Sequence, residues 1–146
     1  MQQSHAIKFK DLGVIQLQGD YWIGRSDGFK IYVCAEEQKE AEGTDAEPLG
    51  LALYDLFELA SKIVKNDFTL RSRAASEMWM CVAGWHHEDE GEITEKSLLS
   101  KMSASSIFLC NETGYAVEYA VESIPSPYML TVQVDRHASY LSATAN

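Results

Sequence analysis

Hydrophobic positions along this chain change period twice. Ile7 and Phe9 alternate with Lys8 and Lys10, the spacing of a short half-buried strand. Gly13 breaks that run, and residues 14–18 supply a hairpin partner. The next stretch, GDYWIGRSDG over 19–28, is rich in turn formers and is read as a connection. Phe29, Ile31 and Val33 then alternate with Lys30, Tyr32 and Cys34, which predicts a third strand.

The period changes in the middle third. Residues 35–48 carry six acids and one lysine with nothing large and apolar, the composition of a solvated loop. Pro48 suits the first turn of a helix. Leu49, Ala52, Leu53, Leu56, Ala60, Ile63 and Val64 follow at helical spacing, with Glu58 and Lys62 placed as an i,i+4 pair. Lys65 and Asn66 provide a stop. Thr69 is a candidate cap for a second helix, in which Leu70, Ala74, Met78, Cys81 and Trp85 share one face. Ala75, Trp79 and Val82 widen that face, so Trp79 is expected in the core. Gly84 marks the approximate end. Thr94 can cap a third, short helix with Glu95 in its first turn and Leu98, Leu99 and Met102 as its buried stripe.

The period returns to two in the last third. SSIFLC predicts a strand and NETG a turn. Tyr115, Val117, Tyr119 and Val121 alternate with Ala116, Glu118, Ala120 and Glu122. SIPSP favours a loop. Leu130, Val132 and Val134 alternate again, and 140–143 can add a final strand. Strand runs separated by a block of helices predict an α+β fold: a single antiparallel sheet from both ends of the chain, with about three helices on one face. Residues 1–146 fit one domain.

Charge narrows the partners. The chain has 22 acids against 12 Lys and Arg, a formal charge of −10. Such a balance disfavours phosphate backbones and anionic membranes and favours a basic partner. The start, MQQSHAIKFKD, lacks the apolar run of a secretory signal, and no stretch reaches the ~20 apolar residues of a membrane helix. Cys34, Cys81 and Cys110 are odd in number, widely spaced and flanked by apolar residues, so buried free thiols in the cytoplasm are expected.

No reaction is legible in the motifs. GWHHEDEGEIT sets His86 and His87 beside Glu88, Asp89, Glu90 and Glu92. Adjacent histidines diverge on a helix and oppose each other on a strand, so neither geometry aims both at one ion. A catalytic metal with Glu88 or Asp89 would need a distant ligand such as His5 or His137. HExxH, EF-hand spacing, GxSxG and a phosphate-binding loop are all absent. Carboxylate pairs are recognised by spatial separation, which spacing does not reveal. The second cluster, DYWIGR, puts Asp20, Tyr21 and Trp22 beside an arginine, the composition of a binding hot spot. Its alternative reading is a hairpin edge with Trp22 packed on the core.

One resemblance adds to this. ITEKSLLSKMSASSIFLCNETGYAVEY, followed by YMLTVQVD and preceded early by LGVIQLQGDYW, resembles a set of small uncharacterised bacterial α+β domains. Some of those occur in toxin–immunity neighbourhoods. The resemblance implies a cytoplasmic immunity protein that occludes a cognate basic toxin, without catalysis, metal or cofactor. Glu88, Asp89, Glu90, Glu92, Asp20, Tyr21 and Trp22 are the expected contacts. A structural or scaffold protein of phage or secretion origin, and a small metal-dependent hydrolase, are the alternatives. An uncovered sheet edge would also allow a homodimer.

Overall fold

The computed structural model describes residues 6–9, 12–34, 52–83, 94–122 and 128–145. Four strands come first: β1 (Ala6–Phe9), β2 (Gly13–Gln18), β3 (Tyr21–Ser26) and β4 (Phe29–Cys34). Three helices follow: α1 (Leu53–Lys65), α2 (Asp67–Ala83) and α3 (Glu95–Lys101). Four more strands close the order: β5 (Met102–Cys110), β6 (Gly114–Val121), β7 (Tyr128–Val134) and β8 (Tyr140–Ala145). They form one eight-stranded sheet in which spatial order equals chain order, β1 to β8.

The sheet is mixed, which corrects the expectation of an all-antiparallel one. Every neighbouring pair is antiparallel except β4 and β5, which run parallel with Ile31 opposite Ile107 and Val33 opposite Leu109. The reason is the helical block between them. A chain that leaves the end of one strand and crosses through helices re-enters from the opposite end, and so in the same direction.

The stretch 19–28 also differs from its reading as a connection, because β3 occupies most of it. Two tight turns bracket this strand. At the second, Asp27 (φ 47°) and Gly28 (φ 87°) both take positive φ, the backbone that a two-residue hairpin turn of matching twist requires. Within β3 the period of two was obscured by Gly24, whose face is filled instead by a neighbour. A Cβ there would sit 3.1 Å from Ile15 Cγ1.

Alternation sorts the strand residues into two faces. Phe9, Ile15, Phe29, Ile31, Val33, Ile107, Leu109, Val117, Tyr119, Val121, Leu130, Val132 and Val134 are buried and belong to one of them. The helices meet these side chains. Phe57 of α1 lies edge-on to Phe9 (5.4 Å) and Trp22 (6.1 Å). Asp67 and Arg71 of α2 engage Tyr119, and α2 also lies against β7 and β8. α3 packs on α2 and buries Leu98.

Helix boundaries follow local chemistry. Asn66 N–H donates to the carbonyls of Lys62 (2.9 Å) and Ile63 (3.1 Å), while its own carbonyl accepts from Leu70 (3.0 Å). One residue therefore ends α1 and starts α2, and Thr69 lies inside the helix it was expected to cap. α3 begins as anticipated: Ser97 N–H donates to Thr94 Oγ1 (3.1 Å) and Thr94 N–H donates to Ser97 Oγ (2.8 Å), a reciprocal cap. α2 is less buried than expected. Leu70, Ala74, Ala75 and Val82 are buried, but Trp79 is only half-buried, Cys81 is exposed, and Met80 and Phe68 are largely exposed. The acidic stretch 35–48, Leu49, Gly84, Trp85 and SIPSP lie outside the described residues.

Candidate binding surface

On the sheet face opposite the buried set, side chains line up in rows set by the strand register. One row runs through Ile23, Tyr32 and Phe108 to Ala116. Tyr32 and Phe108 stack with ring centroids 4.8 Å apart and planes 7° from parallel. Tyr21, 42% exposed, meets Tyr32 edge-on at 6.0 Å. The three rings make one aromatic strip across β3, β4 and β5. Cys34 lies opposite Tyr21 in the next row.

The row on the other side is basic. Arg25 and Lys30 are directly opposite each other on β3 and β4. Like charges at such a site cost stability, so neither contributes to the fold through the other. Lys30 Nζ instead sits 5.1 Å from the Tyr32 ring centroid, a cation–π contact. Lys8 is on the same face of β1. Glu118 faces Ser106 and Thr131 further along the row. Among the described strand residues, this face thus carries three cations and one carboxylate, on a chain whose total is −10.

The structure divides the DYWIGR cluster. Asp20 is exposed in the turn after Gly19, and Tyr21 joins the aromatic strip. Trp22 points to the opposite face, half-buried against Phe57. It is part of the packing and not of the exposed surface, as period two demands for neighbours on a strand. Glu88, Asp89, Glu90 and Glu92, with His86 and His87, lie outside the described residues. Arg25 is the arginine of DYWIGR, whereas Tyr32, Phe108 and Lys30 were not singled out in the sequence. A signal was present: the outward positions of β4 read Lys-Tyr-Cys and those of β5 read Ser-Phe-Cys, each with an aromatic between two small or polar residues.

A second constellation is buried. Tyr119, fully buried, donates its hydroxyl to Asp67 Oδ1 at 2.8 Å. Asp67 Oδ2 accepts from Arg71 at 2.8 Å, and Arg71 also donates to the Met102 carbonyl at 2.9 Å. The guanidinium carbon lies 5.2 Å from the Tyr119 ring centroid. Burial, then the hydrogen bond to Asp67, pushes the Tyr119 phenol well above its ordinary range, so it holds its proton. With its members satisfied by one another, this group suits anchoring better than catalysis.

Near the edge, Tyr140 donates to Glu77 Oε2 at 2.7 Å under Arg73, whose guanidinium carbon is 4.9 Å from its ring centroid. The three thiols are not disulfide-bonded; Cys34 and Cys110 are half-buried, and exposed Cys81 departs from the expectation of burial. Among the described residues no three His, Cys, Asp or Glu side chains come together as a metal site. No described helix is long and apolar enough to cross a membrane. No protein-family model, curated protein or solved structure matches this chain.

Proposed function

We propose that this chain is a cytoplasmic binding protein, most specifically an immunity protein that occludes a cognate toxin. In this reading the three helices form a layer over the buried face and leave the aromatic face to the partner. The observation that carries it is the Tyr21–Tyr32–Phe108 strip. Clustered aromatics on an open surface are the side chains that supply binding energy in protein interfaces, because they bury large area at low entropy cost. Two electrostatic scales would act together. The total charge of −10 steers a basic partner from a distance. The Arg25–Lys30 pair then reads an acidic group at contact and sets register.

A toxic protein encoded beside this chain's gene is the partner to test. Co-expression should restore growth, and Tyr32→Ala with Phe108→Ala should abolish the rescue while circular dichroism shows the fold intact. Failure of the wild-type chain to rescue rejects immunity. Rescue that survives the double substitution rejects this face. The acids of GWHHEDEGEIT enter through kinetics: Asp89→Lys with Glu90→Lys should slow association, and less so as salt rises.

A further inference from the structure

We propose that the chain forms a two-fold dimer by antiparallel pairing of β8 with β8 of a second copy. The two ends of the sheet are unlike. β1 is four residues long and carries Lys8, a charge of the kind that blocks edge-to-edge pairing. β8 is six residues, YLSATA, without a charge or a proline. Among the described residues its only strand neighbour is β7, so no described strand pairs with its other side, and the backbone groups there are those a further strand would use. In a chain of net charge −10, an uncharged edge lets two copies meet there without setting like charges opposite each other.

Side chains around the edge favour the same partner. The register shift between Gln133 and Val134 leaves Leu141 out of the β7 pairing and 60% exposed. A bulge at an edge usually protects it, but here the residue it frees is a leucine, not a charge. Contacts of Arg73 and Glu77 with Tyr140 place one stripe of α2 along β8. Met80 continues that stripe at i, i+4, i+7 spacing and is 71% exposed. A two-fold axis through paired β8 strands brings the two α2 helices together antiparallel. Arg73 of each copy then approaches Glu77 of the other, and the Met80 and Leu141 side chains gain apolar cover.

This proposal needs no toxin, so its test is independent of the immunity reading. Sedimentation equilibrium on the full chain should give twice the monomer mass at tens of micromolar. Thr144→Lys, at an exposed position of β8, should weaken association by about tenfold or more, since a charge on a strand edge blocks edge-to-edge pairing. Circular dichroism and thermal melting would confirm that this variant folds. Amide exchange gives a second readout on the wild type: the β8 amides that point away from β7 should be protected at high concentration and lose protection on dilution. A monomer at every concentration overturns the proposal. So does a dimer that Thr144→Lys leaves intact while those amides exchange freely, because its interface then lies elsewhere.

Discussion

Tyr119 on β6 hydrogen-bonds Asp67 in the first turn of α2, at 2.8 Å and across 52 positions of sequence. The bond joins two elements that no local signal connects. Arg71 doubles it by linking Asp67 to the Met102 carbonyl, where α3 passes into β5. Tyr119→Phe should therefore cost about 1.5–3 kcal/mol, the usual worth of a hydrogen bond to a charged group. Urea unfolding measures it, and a loss near zero would mean that the bond is not made in solution.

The same phenol makes stability sensitive to alkali. Its folded pKa is raised by burial, so the folded state holds a proton that the unfolded state releases above about pH 10. The stabilisation is complete below that pH and is lost as pH rises beyond it. Tyr119→Phe should flatten the decline between about pH 10 and 12 relative to wild type. Parallel declines in both proteins would assign the alkaline effect to other groups.

Gly24 is required by Ile15 and not by its own backbone. A Cβ would come within 3.1 Å of Ile15 Cγ1, and larger side chains closer still. Gly24→Val should destabilise by about 1–3 kcal/mol through overpacking. Gly24→Val with Ile15→Ala should recover part of that loss, by returning the space. A double variant no better than the sum of its parts would remove steric conflict as the cause.

Phe57 and Trp79 test how burial ranks the aromatic residues. Phe57 is fully buried between Phe9 and Trp22, whereas Trp79 is half-buried at the margin of the core. Phe57→Ala should cost about 3–5 kcal/mol, and Trp79→Ala clearly less, although tryptophan is the larger residue. Thermal or chemical denaturation that reversed the order would mean that the margin is as tightly packed as the centre.

The thiols should separate by rate. Exposed Cys81 is expected to react first with a chromogenic reagent, and half-buried Cys34 and Cys110 more slowly. Cys81→Ser should remove the fast phase. A fast phase that persists in that variant would place a second thiol at the surface.

Most of the element list was legible because periodicity is local. Seven of the eight strands and all three helices were read from patterns within a few positions, and the Thr94 cap from one side chain three residues from its donor. β3 was hidden because Gly24 left a gap in its pattern, and only Ile15, on another strand, fills that gap. The parallel β4–β5 pair was equally out of reach, since strand direction depends on where the helices return the chain.

The binding surface divides in the same way. Alternation alone separates Tyr21 from Trp22, because neighbours on a strand face opposite sides. Bringing Tyr21, Tyr32 and Phe108 into one strip needed the register of three strands, two before the helical block and one after it. The Tyr119–Asp67–Arg71 group likewise exists only once α2 lies on the sheet. Sequence by itself determined which residues alternate and where helices start. The tertiary structure decided which outward positions meet, because that depends on strand order and on the face the helices bury, and neither is encoded in any single segment.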